Sequence, residues 1–177
     1  MIQRVLTLLL ILSVSLFSRQ YDETLLNIEA KLFPKIAVLE EHIKNKDSSK
    51  LEIGIVYESI DEQVARSFKS KILKNYSNKL VGKRLEVSLI SSKEDLDRNL
   101  DLVIFMYIEE SRLVHLVSWA NRHNILTFSY DPSDLYYGIA CSIYIGKSTK
   151  PYLHAKVIKK FNFTFDPYLL RLSKIKN

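Results

Sequence analysis

Four histidines, a single cysteine and a few acids set beside hydroxyls are the residues of this 177-residue chain that could carry chemistry. His42, His115, His123 and His154 are scattered, and none has a carboxylate at ligand spacing on a shared helix face. That pattern supports neither a metal centre nor a histidine general base. Cys141 stands alone, so it can form no internal disulfide and no cysteine-based metal site. It lies in the apolar run from Ile139 to Ile143 and is expected to behave as a small buried hydrophobe. Glycine-rich phosphate loops, HExxH, GxSxG and paired cysteines are all missing from the sequence. No catalytic residue, metal or cofactor is therefore expected, and an enzyme would lack any recognisable nucleophile–base pair.

A small solute could still be held where strands end. In open parallel sheets ligands bind beyond the carboxyl ends of the strands. The expected ends carry Tyr57, Glu58 and Ser59, then Ser91 and Ser92, then Met106 and Tyr107, then Ser129, Tyr130 and Asp131. We take Tyr57, Glu58, Ser59, Tyr107, Ser129 and Asp131 as a candidate ligand site. Asp131 has a second reading: an Asp before Pro132 starts a turn by bonding its own backbone.

The elements that must position these residues follow from hydrophobic period. Ile125 to Phe128 is a β-branched apolar run ended by the Ser129–Pro132 breaker cluster, and it reads as a buried strand. Leu102 to Tyr107 is continuously apolar, as in a strand covered on both faces. Leu51 to Tyr57 gives a first strand, and Leu85 to Ile90 an alternating, half-buried or edge strand. Helices are expected over 21–46, 61–76 and 109–123. In the first, Leu25, Ile28, Leu32, Ile36, Leu39 and Ile43 form the apolar stripe, with Pro34 kinking it or opening a second helix. In the second, Val64, Phe68 and Ile72 point inward; in the third, Leu113, Leu116, Val117 and Ala120 do so. Ser91–Ser92 followed by Glu94 is expected to cap a short helix. The order β-α-β-α-β-α-β implies an α/β fold: a mostly parallel, doubly wound sheet of about four βα units. A hairpin from Ile139 to Leu153, a short basic helix, an extended Phe161–Phe165 segment and a last helical turn from Pro167 close the chain.

Residues 1–18 read as a secretory signal peptide: Arg4, an apolar run, then small residues at Ser13, Ser15 and Ser18. The run of about 13 residues is short for a membrane span of about 20. Residues 19–177 are expected to form one domain in the periplasm; tethering by an uncleaved leader is the alternative. Charge is uneven. From Lys147 onward there are eight basic residues and one acid, Asp166, against a net +6 for the whole chain. The tail mixes these cations with Tyr152, Phe161, Phe163 and Phe165, as nucleic-acid binders do. The leader and the alternation of the aromatics argue against that, and no nucleic-acid partner is expected.

Several segments resemble the YfiR family of periplasmic regulators, which includes HmsC-like proteins. They are AKLFPKIAVL (30–39), ILTFSYD (125–131), GIACSIYI (138–145), GKSTKPYLHAKVIKK (146–160) and FTFDPYLLRLSKI (163–175). The Trp-Pro that usually follows the family's first helix is absent here. The resemblance covers roughly residues 24–175. It implies a non-enzymatic exported α/β protein that binds the periplasmic sensor domain of an inner-membrane enzyme and represses it. That enzyme would be a diguanylate cyclase, which makes cyclic-di-GMP, or a histidine kinase. It also implies a homodimer. Redox control through an internal disulfide, found in some members, is beyond a chain with one cysteine. The first-helix residues Leu32, Phe33, Pro34 and Ile36 are the expected interaction surface, with the hairpin as a second. The competing expectation is a single-lobe periplasmic solute-binding protein using the strand-end site.

Overall fold

Alternation along each strand decides which residues meet which helix layer. The structure is a computed structural model and describes residues 20–177. The expected leader, 1–18, lies outside the described residues. In chain order the elements are α1 (Glu23–Ala37), α2 (Glu41–Asn45), β1 (Lys50–Tyr57), α3 (Glu62–Asn75), β2 (Lys79–Leu80), β3 (Lys83–Ser91) and β4 (Leu102–Phe105). They continue with α4 (Glu110–Arg122), β5 (Leu126–Ser129), β6 (Cys141–Ile145), β7 (Thr149–His154), α5 (Ala155–Lys160), α6 (Pro167–Leu172) and β8 (Lys174–Lys176). Short 3-10 turns sit at Ser59–Asp61 and Pro132–Tyr137.

The strands form one open sheet in the order β2-β3-β1-β4-β5-β6-β7-β8. β3, β1, β4, β5 and β6 are parallel. β7 returns antiparallel on β6, and β8 runs parallel to β7. Numbered in chain order, the five parallel core strands read 2-1-3-4-5, the order of a doubly wound sheet. One face carries the larger core: Leu51, Ile53 and Ile55 of β1 meet Phe33 of α1 and Phe68 and Ile72 of α3. On the other face Val56, Val103 and Phe105 meet Leu113, Leu116 and Val117 of α4.

The first helical segment differs from its sequence reading in three ways. It is two helices, broken at Val38–Glu40. Glu40 is extended there, and its buried carboxylate accepts the N–H of Ile43 at 3.0 Å and of Thr164 at 3.1 Å. Glu40 also bridges Phe165, so the break fastens the N-terminal helix to the C-terminal tail. Pro34 sits inside α1, which ends one turn later. The buried face is centred on Leu26, Ala30, Phe33, Ile36 and Ala37, while Leu25, Ile28 and Leu32 flank it. Phe33 is 0 % exposed, its ring centroid 4.8 Å from that of Phe128, and Pro34 and Ile36 are buried too. The expected interaction surface Leu32–Phe33–Pro34–Ile36 is thus core, except for the half-buried Leu32.

Other differences are smaller. Residues 92–101 cross from β3 to β4 as turns, without the expected short helix. The β5–β6 connection is the short 3-10 turn at Pro132–Tyr137. The Phe161–Phe165 segment is not a strand: Asn162 turns with φ +56°, and pairing occurs at Phe165. The three-residue β8 is too short to leave a periodic signal.

Phe33→Ala removes a fully buried ring and should lower unfolding free energy by about 3–5 kcal/mol. Urea denaturation reads this; a loss below about 1 kcal/mol would return Phe33 to the surface.

Candidate functional site

The reversal of strand order lies between β1 and β4, and the loops leaving these strands should frame a crevice. The β1 loop supplies Glu58 and the buried Asp61. The β4 loop supplies Tyr107. Between them lies Tyr21, the residue before the Asp22 cap of α1. Asp22 accepts the N–H of Thr24 at 2.7 Å and of Leu25 at 3.1 Å, which fixes where α1 starts and leaves Tyr21 outside it.

The Tyr21 hydroxyl donates to Asp61 Oδ2 and accepts the Tyr107 N–H, each at 3.0 Å. Its ring centroid is 4.9 Å from those of both Tyr107 and Tyr130, and these two are 5.1 Å apart. Such tilted and edge-on packing suits aromatic quadrupoles. The Tyr130 hydroxyl accepts the Asp22 N–H at 2.8 Å, so the start of α1 is tied to the end of β5. The chain's own tyrosine therefore fills the switch-point crevice.

The six expected strand-end residues do not converge. Tyr57 packs against the larger core, and Tyr107 joins the tyrosine cluster. Glu58 turns outward: its carboxylate lies 3.1 Å from Arg112 Nη1 and accepts the Glu109 N–H at 3.3 Å. Ser59 is exposed in the 3-10 turn. Ser129 faces the opposite way, fully buried, with its Oγ 2.5 Å from Asp134 Oδ2. That pair has the composition of a base-activated hydroxyl, but no solvent-side approach to Ser129 exists. Asp131 accepts the Ser133 N–H at 2.8 Å and caps the 3-10 turn, the second of its two readings.

Two acids the sequence reading left out shape the electrostatics. Glu29 of α1 is 0 % exposed, and both its carboxylate oxygens lack a hydrogen-bond partner. Burial, and then the nearby Asp131 charge, hold its pKa well above the usual carboxylate range. Burial pushes Asp134 up to about 6; the Ser129 hydrogen bond opposes this and Asp131 adds to it. Burial also raises Tyr130. A glutamate on the inner face of an otherwise apolar helix is the signal that marks Glu29. Tyr21 is marked by its place just before an Asp cap.

His115 is exposed, His123 stacks on Trp119 at 3.9 Å, and His154 has its pKa lowered by burial. Among the described residues no group of three His, Cys, Asp or Glu side chains is placed to hold a metal ion. Cys141 is fully buried, and burial pushes its thiol pKa well up, as expected of a small hydrophobe rather than a nucleophile. No described helix is long and apolar enough to cross a membrane.

No protein-family model and no curated protein matches the chain. Among solved structures it is similar to a conserved domain protein from Vibrio cholerae, at 12% identity and a TM-score of 0.59. That match covers 85% of this chain and 60% of the other. It is also similar to an ABC domain from Streptococcus pneumoniae solved in complex with L-Trp, at 14% identity and a TM-score of 0.53. There 80% of this chain and 60% of the other are covered. The fold is α/β. The chain spans about 60% of the length of these two structures, and at such identities the likeness is one of architecture alone.

Two outcomes follow from this geometry. Tyr21→Phe keeps the ring but removes the hydroxyl that bonds the Tyr107 N–H and Asp61, and the two lost hydrogen bonds should cost about 1–3 kcal/mol in urea unfolding. No loss would mean the crevice is not held by that hydroxyl. Glu29 and Asp134 bind their protons more tightly folded than unfolded. Their contribution is therefore full below the ordinary carboxylate range and is lost as pH rises, through about 6 for Asp134 and on through the raised value of Glu29. Glu29→Leu should raise stability at pH 7 by about 1–3 kcal/mol, with a smaller gain at pH 4. A pH-independent gain would show that Glu29 is not the titrating group.

Proposed function

We propose that this chain is a non-enzymatic periplasmic regulatory protein. It binds the periplasmic sensor domain of an inner-membrane diguanylate cyclase or histidine kinase and represses it. The observation that carries this reading is the filled switch point. Tyr21 takes the place a small ligand would occupy, with its ring 4.9 Å from Tyr107 and Tyr130 and its hydroxyl on Asp61. A doubly wound sheet whose crevice is closed by its own chain is left with its outer surfaces for recognition. The segments resembling the YfiR family support the same reading. The partner surface is not the Leu32–Ile36 face, which is core.

A second reading has one observation behind it: the fold is similar to a domain solved with L-Trp bound. If Tyr21 swung aside, Tyr107 and Tyr130 would offer aromatic faces beside Asp61. The chain would then act as a single-lobe solute binder.

One experiment separates the two. The tagged chain is used to capture partners from its own host's membranes, and deletion of the chain is followed through cyclic-di-GMP level or kinase output. The regulator reading expects a membrane cyclase or kinase to co-purify and its output to rise several-fold on deletion. Capture of neither, together with a rise in melting temperature on adding L-Trp or another aromatic solute, would replace it with the binder reading.

A further inference from the structure

The sheet is open along β3 and guarded at its other edge. β3 pairs with β1 from Arg84 to Ser91 in one unbroken parallel register. On its outer side β2 covers only Lys83 and Arg84, and the Leu85 N–H reaches the Asn78 carbonyl at 2.9 Å. The Arg84 and Ser92 N–H groups bond to the β1 side, at Ser49 and Tyr57. By alternation Glu86, Ser88 and Ile90 also face β1, while Val87 and Leu89 turn their N–H and C=O groups outward. Among the described residues no strand pairs with that stretch. It holds neither a proline nor a bulge, two of the usual guards of an edge. β8, at the far edge, is three residues long with a lysine at each end, the form a protected edge takes.

The two faces beside this edge carry opposite charge. Leu85, Val87 and Leu89 lie on the α3 face, in or against the larger core. There a cleft of about 600 Å³ opens between the flank of α3 and Leu89. Its charged lining is Arg66, Lys69 and Lys74, with no acid. Glu86, Ser88 and Ile90 lie on the other face, where a cleft of about 350 Å³ runs to the 92–101 connection. Its charged lining is Glu52, Glu86, Glu94, Asp95 and Asp97, with no base. Arg66 is paired with Glu62, and Glu86 with Lys50 and Arg84. The remaining charges of both linings form no ion pair among the described residues.

That division of charge selects the occupant. Two copies joined edge to edge would be related by a two-fold axis normal to the sheet, the axis an antiparallel pair of identical strands requires. Such an axis sets cation against cation on one face and acid against acid on the other. A strand from another protein meets no such conflict if its charges alternate, because successive side chains point to opposite faces. We propose that the Val87–Leu89 edge takes up an extended segment of a partner protein as a further strand. Its acidic side chains lie toward Lys69 and Lys74, and the basic ones between them lie toward Glu94, Asp95 and Asp97. Main-chain bonds to Val87 and Leu89 supply affinity, and the two clefts supply selection. The proposal deepens the regulatory reading by naming a docking edge, and it rests on that reading only for whose segment is bound.

A capped peptide of about nine residues, the length of a long strand, tests the edge by itself. Glu and Val share its odd positions, and Lys and Thr its even ones. Titration of the labelled peptide with the protein, followed by fluorescence polarisation, should saturate. A peptide of the same composition with its acids and bases in separate blocks should bind about tenfold more weakly. Hydrogen exchange at the Val87 and Leu89 amides should be fast in the free protein and slow in the complex, a change that charge attraction alone does not produce. Leu89→Pro removes an outward N–H and spares the β1 ladder, and should weaken binding about tenfold. Lys69→Glu should weaken it about fivefold. If Leu89→Pro fails to fold, amide exchange in the unaltered protein decides instead. Absence of saturable binding would overturn the proposal, as would equal binding of the two peptides. So would a complex in which the Val87 and Leu89 amides still exchange freely. Each of these outcomes is separate from the rise in cyclase or kinase output on deletion, which tests the regulatory reading.

Discussion

One hydroxyl group, that of Tyr21, sets what the strand ends of this sheet can do. The reversal of strand order opens a gap between the β1 and β4 loops, and such a gap exposes a backbone N–H and a buried carboxylate. Tyr21 answers both, accepting from Tyr107 N and donating to Asp61. A hydrogen bond inside a fold contributes on the order of 1 kcal/mol, so the chain's own phenol ties the two loops together as it fills the gap. Tyr130 reinforces the arrangement by holding the Asp22 N–H, which anchors the first turn of α1 over the sheet.

The seat of α1 is strong at its two ends and costly in its middle. The Asp22–Tyr130 contact holds the front, and Glu40, clasping Ile43 and Thr164, holds the back. Between them Glu29 is buried with no partner, near Asp131. An apolar residue there would pack without penalty, so the helix is held despite Glu29 rather than by it. Phe33 against Phe128 and the Ala30 and Ala37 contacts supply the burial that offsets it. Burial holds the Glu29 pKa well above the usual carboxylate range, so the seat of α1 weakens as pH rises and that carboxyl must ionise.

The sheet was legible in the sequence because parallel strands covered on both faces announce themselves, as Leu102–Phe105 does. So were the inward faces of α3 and α4. The phase of α1 was not. Its largest aliphatics, Leu25, Ile28 and Leu32, ride the flanks, while two alanines and a glutamate occupy the contact line where the helix lies close to the sheet. That error made Phe33, Pro34 and Ile36 look like a surface. The candidate site failed for a related reason. Strand-end residues were read as a set, yet successive side chains point to opposite faces, so Ser129 turns away while Tyr130 and Tyr107 stay. Tyr21 completes the cluster from more than eighty residues upstream of Tyr107, a distance no local pattern reports.

The two ends of the sheet are thereby unequal. At the switch point, polar groups are satisfied by the chain itself, and Arg112 and Glu58 close the rim. At the β6–β8 end, the apolar side chains outrun the core available to cover them, and the cations outnumber their acids eight to one. Burying Ile145 or Leu172 inside would require more helix than the six residues of α6 provide. On the face of the hairpin opposite Ile145, Lys174 lies over the rings of Tyr144 and Tyr152. Contacts of that kind hold a cation in place without neutralising it.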